Sequence, residues 1–168
     1  MIERFIRSKQ LMQDSTAKNL AASYLEKAHA NLITMEILSK VDKYKSMLAI
    51  PKEHTTDEWV VSVAYYAMYM AALSLLAKLG YRSKSHTATS AALEEFFVKN
   101  KILENKHLAN FESIRMRQGE IETLRDIRDR REIAQYSVTK RTTKEIAEQT
   151  KSDARSFVDR AEEIFDNL

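Results

Sequence analysis

Apolar residues recur along this chain at steps of three and four, the spacing that lines one face of an α-helix, and five helices are predicted from them. The first covers residues 15–47. Over its N-terminal two-thirds Ala17, Leu20, Ala21, Tyr24, Leu25, Ala28, Leu32 and Met35 form one stripe. It stops before Pro51, whose ring biases Ile50 toward an extended backbone. Thr55-Thr56-Asp57-Glu58 reads as a capping box opening the second helix, and Gly80 marks its end. On that helix the small residues Ala64, Ala67, Ala71 and Ser74 share one face, so a neighbouring helix can approach closely, while Trp59, Val63, Tyr66, Met70 and Leu73 lie on another. Residues 81–85 form a short linker to a third helix over 86–99, and 100–105 form a loop. A fourth helix spans 108–137, with Gly119 as a break or kink inside it. Thr142-Thr143-Lys144-Glu145 is a second capping box. The fifth helix follows, with Ile146, Thr150, Ala154, Phe157, Ala161, Ile164 and Leu168 on one side. Short connections imply antiparallel neighbours, hence an all-α, up-and-down bundle in one domain over 1–168, with 1–14 as an N-terminal extension.

Composition agrees. Two glycines and one proline in 168 residues leave too few turn formers for a sandwich, a barrel or a Gly-rich nucleotide fold. The absence of cysteine excludes disulfides, thiolate metal sites and a cysteine nucleophile, and fits a reducing cytoplasm. With 27 Lys and Arg against 24 Asp and Glu, the net charge of +3 is too balanced to announce a dedicated nucleic-acid binder. No secretory leader is expected, because the first residues mix both charge signs. Residues 59–77 carry no charge and approach the roughly 20 residues needed to cross a bilayer. Their alanines, serines and tyrosines instead favour the buried central helix of a bundle, and no membrane association is expected.

Two Glu-x-x-His pairs, Glu26 with His29 and Glu104 with His107, match the spacing that holds two irons in some helical bundles. Glu26 falls almost opposite the apolar stripe of its helix and Glu104 lies in the predicted loop, so no metal and no cofactor is expected. His54 beside Asp57 and Glu58 is a solvated helix start. Residues 115–136 are richer in information. Arg115, Arg117, Arg125, Arg128, Arg130 and Arg131 sit there among acidic neighbours, mostly as a solvated face laced with ion pairs. Arg131 differs, because it projects near the centre of the stripe made by Ile121, Leu124, Ile127, Ala134 and Val138, with Arg128 about 60° round the helix. An arginine there must find a carboxylate such as Glu94 or Glu95, a subunit interface or a cleft.

The run Ala64-Tyr65-Tyr66-Ala67-Met68-Tyr69-Met70-Ala71, then Gly80-Tyr81, Ser85-His86, Phe96-Phe97-Val98, and finally Arg131-Glu132-Ile133-Ala134-Gln135-Tyr136 resemble the HEPN superfamily (higher eukaryotes and prokaryotes nucleotide-binding domain), in its small stand-alone prokaryotic branch. The resemblance implies an up-and-down bundle of the nucleotidyltransferase substrate-binding-subunit type, with Tyr65, Tyr66, Met68 and Tyr69 as a packing signature. It also implies frequent homodimers and a partnership with a minimal nucleotidyltransferase in which the HEPN protein is often the toxin. RNA-cleaving members carry Arg, four to six residues, then His. Here five residues follow Arg128 and the next position holds Ala134, while Gln135 stands where many relatives have Asp. Without that imidazole the expected activity is binding of a nucleotide, RNA or protein partner in a groove at Arg128, Arg131, Tyr136 and His86. The alternatives are a metal-independent ribonuclease using His86 or Tyr136, and a purely structural oligomerisation unit.

Overall fold

A computed structural model describes the backbone of residues 2–129 and 142–168, and the side chains of 2–123 and 142–168. Its elements in order are α1 (Ile2–Arg7), β1 (Leu11–Gln13), a 3₁₀ segment (Ser15–Leu20), α2 (Ala21–Ser39), a second 3₁₀ turn (Val41–Tyr44), α3 (Asp57–Lys78), β2 (Tyr81–Ser83), α4 (His86–Leu93) with a π-helical turn (Glu94–Val98), α5 (Asn105–Asp129) and α6 (Lys144–Asp166). The fold is an all-α bundle with one minimal two-stranded ribbon.

Helix α3 is its axis. It is uncharged through the middle, packs against α2, α4, α5 and α6, and buries Val60, Val61, Ala64, Ala67, Met68, Ala71, Ala72, Leu75 and Leu76. The small side chains let two backbones come close, and burial rather than propensity stabilises such a helix. The stripes expected for the outer helices enter the core as Leu25, Ala28, Leu32 and Met35 from α2 and Ala154, Phe157, Ala161 and Ile164 from α6. Leu168, placed on the same stripe by periodicity, is exposed past the end of α6.

Several local expectations are corrected. The long first helix is three pieces: a 3₁₀ entry capped by Asp14, whose Oδ1 accepts from Thr16 N at 2.9 Å, then α2, then a separate turn after Lys40. The apolar stripe ends at Met35, so nothing holds the chain helical beyond Ser39. The capping box at Thr55 does not form. Thr56 is the N-cap, and its hydroxyl donates to Leu38 O at 2.8 Å, tying the start of α3 to the end of α2. The cap of α6 is Thr143, one residue later than read, with its hydroxyl accepting from Ile146 N at 3.3 Å. Gly119 breaks nothing, since α5 runs through it.

The predicted linker is strand β2. It pairs antiparallel with β1 in the register Leu11↔Ser83, Met12↔Arg82, Gln13↔Tyr81. Arg82 Nε binds Asp14 Oδ2 beside the ribbon, and Phe5 and Leu11 join the core. Gly80, at φ +83°, turns the chain from α3 into this ribbon.

Candidate functional site

Ser85 opens α4 as an extended N-cap, its Oγ accepting from Ala88 N at 3.1 Å, so His86 is free of capping duty. The His86 ring lies tilted on Tyr69, centroids 4.3 Å apart, and 5.4 Å from Tyr65, while remaining open to solvent. Tyr65 is buried among Tyr69, Phe111 and Tyr66, and its Oη meets His86 Nδ1. Burial pushes the Tyr65 phenol far above its ordinary pKa, with Tyr69 adding to the rise. It pushes Tyr69 upward too, against the Thr89 hydroxyl beside it. Burial lowers the His86 imidazole, Glu122 opposes that change, and Arg115 adds to it. A protonated phenol against Nδ1 holds the imidazole in place in either neutral tautomer, since a hydroxyl both donates and accepts.

The middle of α5 supplies the charges. Arg115 holds Glu112 through Nε and Nη2, both 2.8 Å from Oε2. Glu122 Oε1 accepts from Gln118 Nε2 at 2.9 Å. Gln118 is 3% exposed and its Oε1 has no partner, as has the Oγ of buried Ser90 on α4. An unsatisfied buried carbonyl or hydroxyl costs about 1–3 kcal/mol, so neither atom is accounted for by core packing alone. Chemically the arrangement sets an imidazole against aromatic rings and within the electrostatic influence of a guanidinium on α5. Those are groups that bind phosphate oxygens and stack on rings.

Of the residues expected to form the groove, His86 alone has a described side chain, and Glu122 and Arg115 of α5 influence it electrostatically. Arg128 is on α5, six positions beyond Glu122, and its side chain is outside the described residues. Arg131, Ala134 and Tyr136 also lie outside them. Glu95, suggested as a partner for Arg131, pairs with Lys99 at 2.6 Å. The packing signature divides. Tyr65 and Met68 are buried and Tyr69 half-buried, while Tyr66 is exposed in a separate groove of about 380 Å³ with Lys27, Ala30, Asn31 and Met70. Arg115, Gln118 and Glu122 were not singled out from the sequence. Gln118 carried a signal, since it falls on the stripe of Phe111, Ile114 and Ile121, where a polar residue is out of place.

The two Glu-x-x-His pairs serve other ends. Glu26 is exposed, and His29 Nε2 lies 3.3 Å from Glu162. His107 is 4% exposed, edge-on to Phe157 and 3.6 Å from Glu104. Among the described residues no three His, Asp or Glu side chains are grouped to hold an ion. A family model described as the HEPN domain matches residues 52–166. No curated protein matches the chain.

Proposed function

The chain belongs to the HEPN domain family, and from that premise we propose that it is a non-catalytic binding module for a phosphate-bearing ligand, a nucleotide or an RNA strand. The ligand lies along the middle of α5, between the His86 ring and the arginines that follow Arg115. The observation that carries this reading is the Tyr65–His86 pair, an imidazole held by a phenol at the exposed start of α4 and within the electrostatic influence of Arg115. Arg115, Arg128 and Arg131 supply charge-assisted hydrogen bonds to the phosphate, with Tyr136 as a further ligand-binding residue. Ala134 supports a binding role over catalysis, since a methyl group can neither donate nor accept a proton. In the cell the module works as a homodimer in the cytoplasm with a minimal nucleotidyltransferase, in a toxin–antitoxin setting.

Fluorescence anisotropy with a short labelled RNA and with a labelled nucleotide tests the reading. Binding should weaken as salt rises, and Arg128→Ala should reduce it with little change in thermal stability. Equal binding by wild type and the Arg128→Ala/Arg131→Ala double variant would leave only a structural role. The imidazole at His86 favours one second reading, metal-independent RNA cleavage. Cleavage in EDTA that disappears in His86→Ala would replace the binding-only proposal.

A further inference from the structure

The near-balanced net charge hides a segregation. Residues 1–20 and 78–86 hold seven Lys and Arg against two Asp and Glu, while the rest of the chain holds 20 against 22. The whole positive excess belongs to these two stretches, and the pairing of β1 with β2 brings them to one end of the bundle. Both acids there are engaged, Asp14 by Arg82 and Glu3 by Arg7 at 3.4 Å. Lys9, Lys18 and Lys84 have no ion pair among the described residues.

The cations follow the ribbon. The Lys18 side chain passes beside Gly80 at its start. Lys84 N donates to Gln10 O at 2.8 Å, so the pairing carries on past Ser83. By strand alternation Arg82 and Lys84 share one side, about 6.6 Å apart, comparable with the step between successive phosphates in an extended strand. Arg82 is fixed in place, with Nε on Asp14 and Nη2 donating to Thr16 Oγ1 at 3.1 Å, and its Nη1 has no partner among the described residues. Beside it lies a recess of about 150 Å³ whose lining includes Ala17, Tyr24, Leu73, Tyr81, Arg82 and Lys84. A cavity of that volume takes up one six-membered ring, so it admits a pyrimidine and not a purine. Cations in a row beside an aromatic-lined recess suit single-stranded RNA. An anionic lipid surface has no planar ring to fill the recess.

We propose that this ribbon end is a second RNA-binding surface, along which a single strand lays its phosphates on Lys18, Arg82 and Lys84 and places one pyrimidine in the recess between Tyr24 and Tyr81. Lys84 is two residues from His86, so the strand continues from the ribbon toward the α5 groove. The inference rests on the proposed binding of phosphate-bearing ligands there and makes the ligand a pyrimidine-containing strand rather than a free nucleotide.

Fluorescence anisotropy on the full chain tests it with labelled oligo-uridine and oligo-adenosine of about twelve nucleotides and with a labelled uridine nucleotide. The wild type should bind oligo-uridine about tenfold more tightly than oligo-adenosine. Lys18→Ala/Lys84→Ala, changes at exposed positions, should weaken oligo-uridine binding about tenfold and lower its salt slope by about 1.4, with nucleotide binding unaltered. Tyr24→Ala should abolish the preference for uridine. Oligo-uridine binding indifferent to the lysines, a wild type without base preference, or a preference that survives Tyr24→Ala would each overturn the proposal. So would binding to phosphatidylserine vesicles that depends on the same lysines while oligo-uridine does not bind. In any of those cases retained nucleotide binding leaves the α5 reading standing, whereas a wild type that binds neither nucleotide nor RNA removes both.

Discussion

The first two turns of α5 and its middle turns carry similar side chains to different ends. Near the N-terminus His107 is enclosed, Phe111 stacks on Phe157 at 5.6 Å, and Asn110 Nδ2 donates to Asp153 Oδ1 at 3.0 Å. These groups join α5 to α6, and the imidazole there is a shaped piece of core. Two turns further along, Arg115 and Glu122 act on the His86 imidazole, which is open to solvent, and Gln118 keeps a bare carbonyl. Burial lowers the pKa of both histidines, so the shift alone does not tell scaffold from site. Access does. His107 is shut in between Glu104 and Phe157, while His86 is exposed and has its Nδ1 held by a phenol.

Substitutions can break this contrast. The largest effect is expected from His107→Ala, which should cost about 2–3 kcal/mol by opening a cavity against Phe157, read as a fall in urea midpoint, with RNA binding per folded chain unchanged. A loss of binding greater than the loss of folded protein would place His107 in the site instead. Tyr65→Phe keeps the ring and removes the donor to His86. It should cost about 1 kcal/mol and free His86 Nδ1 of its partner, visible as a change in the His86 ring-nitrogen shifts by NMR. Gly119→Ala should act in the opposite sense. A methyl group there meets nothing within 4 Å, so α5 should gain about 0.5–1 kcal/mol in chemical denaturation without loss of binding.

The smallest and most discriminating effect is in pH. Both imidazoles titrate below their ordinary 6.5 in the folded chain, so as pH falls through that value the unfolded chain takes up protons first and stability drops. Above it these groups contribute no slope. Thermal melts between neutral pH and about 5 should show the decline, and it should flatten in His107→Gln and, to a lesser degree, in His86→Gln. A slope unaltered by either variant would assign the acid sensitivity to carboxylates.

What the sequence determined by itself was whatever depends on periodicity. The α3 axis, the stripes of α2 and α6, the end of α3 at Gly80 and the HEPN resemblance all follow from the order of apolar, small and polar residues, because helical spacing is local. Gln118 was legible too, as a polar residue on an apolar stripe. Only tertiary structure decided the rest. The strand at Tyr81–Ser83 exists because residues 11–13, about 70 positions away, offer it a partner, and three residues carry no period of their own. Thr56 gives its hydroxyl to Leu38 rather than to its own helix, because α2 ends beside it. Tyr65 and Tyr66, alike in sequence, part company because a helix turns about 100° per residue and only one side of α3 meets α4 and α5. His86 is held by a phenol 21 residues away, a juxtaposition that no local pattern encodes.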